Sequence, residues 1–280
     1  MIQKIIHKIL KRKVLFLPLG GSSQIHAAKS TLGFWYCGDL YNTADIAYGI
    51  ARNGVVEKEE TELVLKILKQ LPEHFTLLDI GANTGYYGIM SAFLFPTSQT
   101  HSFEPIKEHC ELIQQSTYLN RLSNVTVNEY ALGEIAAKKD IYTAGSGTTL
   151  VENFTENVRN KITIEIKKLD DVVKEKQIQN ILFIKIDVEG FEYEVLKGAR
   201  EIFSTGKPIL FMEICHTKDG SYGLYTNENF KKTLDFMEEL GYTTRIQEGV
   251  TLRPFDKNTF PPKGVWMFLF IHPSHSSISL

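Results

Sequence analysis

The chain has little of what marks secreted, membrane-spanning or nucleic-acid-binding proteins. Its 280 residues hold three cysteines, Cys37, Cys110 and Cys215. Three thiols, far apart and without C-x-x-C spacing, make neither a disulfide framework nor a zinc cluster, and they fit a reducing cytoplasm. Excess positive charge is also missing: 31 Lys and Arg against 33 Asp and Glu leave a net charge of -2, so no broad basic field draws the chain onto nucleic acid. No apolar run approaches the roughly 18 residues of a membrane span. Internal repeats and low-complexity stretches are absent too. The 43% hydrophobic and 23% charged residues that are present are those of a folded globular chain.

The N terminus departs from this average. Ile2, Ile5, Ile6, Ile9 and Leu10 recur at helical spacing, Lys4, Lys8, Lys11, Arg12 and Lys13 supply positive charge, and Val14 to Leu19 is apolar until Pro18 interrupts it. The pattern predicts a basic amphipathic helix, packed on its own domain or a partner, or else lying on a membrane surface through residues 1–19. A secretory signal fits less well, because the apolar stretch is short and lacks a small-x-small cleavage site. Residues 1–56 are expected to form an extension and candidate substrate cap, and 57–280 the main domain.

From Glu57 onward, helical and strand patterns alternate. Glu57 to Leu71 repeats its apolar residues at helical spacing and stops at Pro72. Phe75 to Ile80, Thr100 to Phe103, Val125 to Tyr130, Ile181 to Asp187 and Ile209 to Ile214 read as strands, with helices expected over Tyr86–Phe95, Ile106–Leu122 and Phe191–Phe203. Such alternation builds a parallel sheet. Ile162, Ile164 and Ile166 alternate as a further strand, and Asp170 to Lys176 reads as a short helix. Glu228 to Leu240 is helical, and Tyr242–Gln247 with Val265–Ile271 are expected to pair as an antiparallel edge hairpin. The expected fold class is therefore α/β, a doubly wound, mostly parallel seven-stranded sheet with an antiparallel C-terminal edge and an N-terminal helical extension. Gly133 to Phe154 is turn-rich and reads as an insertion near the carboxyl edge of the sheet.

Chemistry concentrates where these strands end. Leu77-Leu78-Asp79-Ile80-Gly81-Ala82-Asn83-Thr84-Gly85 is a strand running into a small-residue turn that opens a helix. Such a turn admits a ligand to the backbone and offers unpaired N–H donors. On this reading a valine at Gly81 should block the ligand and leave the fold intact, provided its φ is negative. The spacing Gly81, Gly85, Gly88 is not the G-x-G-x-x-G of a dinucleotide site. Glu104, in His101-Ser102-Phe103-Glu104-Pro105, ends the next strand with an acid, where a ribose diol is held in doubly wound folds or where an acid merely favours the following helix N-terminus. In Ile184-Lys185-Ile186-Asp187-Val188-Glu189-Gly190, three charged residues share one face. They read either as site residues or as a structural Lys185–Asp187 ion pair with Glu189 at the next helix.

The segments LLDIGANTGYYGIMSA, SFEP, EYALGE, KKLDDVV, FIKIDVEGFEYEVLKGAR and PILFMEICH, in that order from Glu57 to His216, resemble the FkbM-type branch of class I S-adenosylmethionine-dependent methyltransferases. The resemblance implies a Rossmann-like fold and S-adenosyl-L-methionine as cofactor. Asp79, Gly81, Asn83 and Gly85 would hold its methionine end, Glu104 its ribose hydroxyls, Ala131 and Leu132 would border its adenine, and Ala82 and Pro105 would belong to the same cofactor site.

Methyl transfer to a hydroxyl requires positioning and removal of a proton. His216 is the first candidate for that base, with Asp187 and Glu189 the second. His7, His26, His74, His101, His109, His272 and His275 show no comparable setting, and no metal-ligand spacing stands out. The expected function is a cytoplasmic O-methyltransferase, free or peripheral at the inner face of the membrane, acting on a sugar hydroxyl of a glycan or glycosylated metabolite. The acceptor class comes from the resemblance alone. A dinucleotide-dependent oxidoreductase and a non-catalytic binding module are the alternatives.

Overall fold

The computed structural model describes residues 14–17, 25–144, 147–149, 160–214, 227–259 and 265–280. The basic segment Met1 to Lys13, read above as a helix, lies outside the described residues, as does His216.

The chain opens with three strands, β1 (Val14–Leu17), β2 (Ile25–Lys29) and β3 (Trp35–Gly38), in an antiparallel sheet of that order, followed by helices α1 (Ile46–Asn53) and α2 (Lys58–Leu68). The described part of the extension thus combines a small antiparallel sheet with helix α1. The parallel half of the main sheet follows: β4 (Thr76–Ile80), α3 (Tyr86–Leu94), β5 (Gln99–Phe103), α4 (Lys107–Leu119) and β6 (Val125–Asn128). An accessory sheet comprises β7 (Ala131–Leu132), β8 (Ala137–Ala144), β9 (Gly147–Thr149) and β10 (Asn160–Lys167), in the order β7-β10-β8-β9. Then come α5 (Leu169–Lys176), β11 (Ile181–Ile186), α6 (Glu192–Lys197), β12 (Ile209–Glu213), α7 (Phe230–Glu239), β13 (Thr243–Glu248), β14 (Thr251–Pro254) and β15 (Met267–Ile271).

The main sheet runs β14-β13-β15-β12-β11-β4-β5-β6. Its five strands from β12 to β6 are parallel, and β15, β13 and β14 add antiparallel edge strands. The architecture is the doubly wound, Rossmann-like one expected, with eight strands in place of seven. The eighth, β14, comes from the connection between the two expected edge strands. It is exposed and ends on Pro254, which an edge tolerates because no further strand needs its missing N–H. The turn-rich insertion supplies β8 and β9 of the accessory sheet.

Alternating side chains give the main sheet two buried faces. Leu78, Ile80, Ile184, Ile186, Leu210 and Met212 point toward α5, α6 and α7. Leu77, Phe183, Phe211 and Leu269 point toward α2 and α3, where Phe34, Tyr36 and Ile50 from before residue 57 join the same core. The Tyr36 hydroxyl meets Thr84 Oγ1 at 2.5 Å, tying the small sheet to the turn after β4. Among the described residues no helix is long and apolar enough to cross a membrane.

Candidate functional site

The strand order reverses at β4, whose neighbours β5 and β11 are reached by crossovers in opposite directions. The carboxyl ends of strands at such a reversal form a crevice. A cleft opens there, and Gly81, Asn83, Glu104, Pro105, Asp187 and Glu189 line it, with Ala131 and Leu132 on its apolar side. Eight of the expected site residues are thereby brought together from four separate stretches of chain. Asp79, Ala82 and Gly85 are not among the lining residues.

Asp79 lies behind the cleft, buried, with Oδ2 accepting the N–H of Gly88 at 2.9 Å. A β-carbon on Gly88 would press on Ser102 Oγ and Asp79 Oδ2, so its absence lets α3 sit directly on β4 and β5. Burial pushes the Asp79 carboxyl up to about 6, against the opposing pull of Lys185. Glu104 joins the two turns of the cleft: Oε2 accepts from Asn83 N at 2.8 Å and Oε1 from Ile106 N at 2.9 Å. Asn83 holds its N–H toward Glu104 in a left-handed conformation, φ +51°, one that asparagine tolerates better than most residues.

Gly81 differs from expectation. Its φ is +73°, and a β-carbon there would overlap the backbone carbonyl of Asp187. The glycine is demanded by the packing of two turns against each other, so a valine cannot leave the fold intact. At Gly85, φ +86°, a β-carbon would meet the Ile113 side chain of α4, again a packing requirement.

At the far side of the cleft, Lys185 Nζ lies 3.0 Å from Asp187 Oδ2 and 5.2 Å from the centre of the Tyr87 ring. Tyr87 in turn donates its hydroxyl hydrogen to Glu57 Oε2 at 2.6 Å. Burial alone would lower the Lys185 pKa, but Asp187, Glu57, Glu213 and Asp79 outweigh it and raise the value. Burial, then Asp187, pushes the Glu189 carboxyl up to about 7. Glu189 has φ +50°, uncommon for a residue with a side chain and frequent at functional positions.

Seven lining residues escaped the sequence reading: Ile80, Phe103, Val188 and Phe191 flank expected ones, and three lie further off. His109, in the first turn of α4, lines the cleft with Nδ1 3.4 Å from Glu104 Oε1. Ile141 of β8 and Ile164 of β10 extend the apolar wall begun by Ala131 and Leu132. The isoleucine alternation around Ile164 was the available signal for the wall, but only the sheet pairing Ile162↔Ile141 sets these strands against the cleft. Among the described residues no group of three His, Cys, Asp or Glu side chains could hold a metal ion.

Residues 79–244 match the family model of the FkbM methyltransferase domain. The chain is 27% identical over 165 residues to Methyltransferase sdnD of Sordaria araneosa, a match covering 48% of this chain and 64% of that protein. It is 22% identical over 167 residues to Methyltransferase 1 of Beauveria bassiana, covering 52% and 67%. The first of these matches spans just under two thirds of its relative's length. A solved methyltransferase FkbM from Methylobacillus flagellatus superposes with a TM-score of 0.46 at 18% identity, over 80% of this chain and 53% of that one.

Proposed function

The chain belongs to the FkbM methyltransferase domain family, and from that premise we propose that it is an S-adenosylmethionine-dependent O-methyltransferase acting on a sugar hydroxyl of a glycan or glycosylated metabolite. The observation that carries the reading is the cleft at the strand-order reversal, with a buried carboxylate at one end, carboxylates at the other and an apolar wall between.

The residues present suit the cofactor. Glu104 uses one lone pair on each oxygen for a backbone N–H, and a carboxylate has about four acceptor sites, so two remain for a ribose diol. Gly81 and Asn83 would border the methionine end, with Asp79, Ala82 and Gly85 shaping that turn from behind. Pro105, Ala131, Leu132, Ile141 and Ile164 would cover the adenine. S-adenosylmethionine, when bound, supplies a methyl group activated by a sulfonium.

The chain itself must orient the acceptor and take its proton. Glu189, with its carboxyl near neutrality, suits a base, because a base works best with a pKa near the working pH. Asp187, held by Lys185, would orient the acceptor. His216 follows β12 in sequence and is the remaining candidate for the base. The acceptor class follows the resemblance set out above.

Labelled methyl transfer to a panel of hydroxyl-bearing sugars, amines and nucleosides tests the proposal. Label in an ether of a sugar hydroxyl is expected; label confined to nitrogen or carbon would overturn the O-methyl assignment. Once an acceptor is found, single-turnover rates of Glu189→Gln and His216→Ala identify the base, whose loss should cost roughly 100- to 10,000-fold.

A further inference from the structure

At the carboxyl ends of β11 and β12 the chain gathers more acid than base. The parallel register sets Ile186 beside Met212, so Asp187 and Glu213, one residue further along, leave adjoining strands side by side. Across the other flank of β11, Lys185 pairs in register with Asp79. Lys185 is 3% exposed, with Asp187 Oδ2 at 3.0 Å and the Tyr87 ring against it, so its ammonium has no freedom to swing elsewhere. Asp187, Glu57, Glu213 and Asp79 all act on this one buried ammonium, Glu57 from the turn before α2, and Glu189 adds its charge beside Asp187 and Glu213.

Desolvated like charges cannot all ionise together; the surplus is carried by a bound proton or an added cation. Asp187, then burial, pushes the Glu213 carboxyl well above the usual carboxylate range, with Glu189 and Glu57 adding to the push and Lys185 opposing it. Asp187 and Glu189 belong at the same time to the wall of the cleft.

We propose that Glu213 is a further functional residue of this site, the carboxyl that holds a proton in the free protein and yields it when a ligand with a fixed positive charge enters beside Asp187 and Glu189. The inference rests on the methyltransferase reading, in which that ligand is the sulfonium of S-adenosylmethionine. S-adenosylhomocysteine, the demethylated product, is a neutral thioether at the same atom. The exchange of proton for charge would let the site hold the donor more tightly than the product.

The sign of the linkage is fixed. A cation stabilises the ionised carboxylate, so protons leave on binding and donor affinity falls as pH drops. The test is calorimetric titration of the full chain with S-adenosylmethionine and with S-adenosylhomocysteine from about pH 5.5 to 7, below the roughly 7.7 to 8.0 at which an α-amino group titrates. Release of one proton changes an association constant by up to about tenfold per pH unit. The donor's affinity is expected to rise roughly three- to tenfold per unit and the product's by less than about twofold. Glu213→Gln, which keeps the side-chain shape without an exchangeable carboxyl proton, should bring the two slopes together. In the wild-type chain, heats measured in buffers of different ionisation enthalpy should give about 0.5 to 1 proton released with the donor and almost none with the product. Equal slopes and equal proton release for both ligands overturn this inference and leave the methyltransferase reading standing; failure of both ligands to bind overturns both.

Discussion

Gly81 and Asp187, at the ends of adjoining strands, touch backbone to backbone. A β-carbon on Gly81 would overlap the Asp187 carbonyl, and the Asp187 N–H donates to Ile80 O at 3.0 Å. The two turns that wall the cleft are therefore locked together before any ligand arrives, which is the preorganisation a positioning enzyme needs.

Gly81→Ala should accordingly destabilise the fold. The left-handed φ costs roughly 1 kcal/mol or more, and relieving overlap with main chain adds about 1 to 3 kcal/mol. Urea unfolding is expected to show a loss on the order of 2 to 4 kcal/mol. A midpoint equal to wild type would mean that the turns are not locked.

Glu104→Gln should weaken S-adenosylhomocysteine binding by about 1.5 to 3 kcal/mol, the range for charged hydrogen bonds, or roughly 10- to 150-fold. Because Glu104 also accepts from Asn83 N and Ile106 N, the variant should lose about 1 to 3 kcal/mol of stability as well. An unchanged dissociation constant in the folded variant would remove Glu104 from the cofactor site.

Glu192 sets a pH dependence. It is 2% exposed, its Oε1 accepts from Gly190 N at 2.7 Å, and burial pushes its carboxyl up to about 8. A folded-state value above the unfolded one means that the native state holds the proton longer. Its contribution is fully present below about 4.5 and is lost as the pH rises toward about 8. Glu192→Gln should match wild type near pH 4.5 and exceed it near pH 8 by on the order of 4 kcal/mol, read from thermal unfolding. Identical pH profiles would contradict the burial argument.

The main sheet was legible because its strands announce themselves: Leu77, Leu78 and Ile80, like Phe183, Ile184 and Ile186, are apolar on both faces, as strands covered by helices must be. The acids at the strand ends stood out against that background, and the cleft gathers Glu104, Asp187 and Glu189. The accessory sheet was obscure because β8 carries Lys138, Lys139 and Asp140 next to the inward-facing Ile141. The strands β2 and β3 hold small residues such as Ala27, Ala28, Cys37 and Gly38, whose extended form is imposed by pairing. His109 stands beside Glu104 because the first turn of α4 begins just after it, but no pattern in the sequence sets this histidine apart from the others.

If the basic residues of Met1 to Lys13 hold the chain on a membrane surface, the full chain should come down with anionic vesicles at low salt, and added salt should release it. A chain beginning at Val14 keeps β1 paired with β2 and should stay in solution. Equal pelleting of the two would favour a segment packed on protein.

The central claim, a methyl-donor site in the cleft between Glu104 and Asp187, is tested most directly by calorimetry of the wild-type chain with S-adenosylmethionine, S-adenosylhomocysteine and NAD. Saturable binding of the first two at one site per chain, and none of NAD, is the expected result. Binding of NAD in preference, or of none of the three, would contradict it.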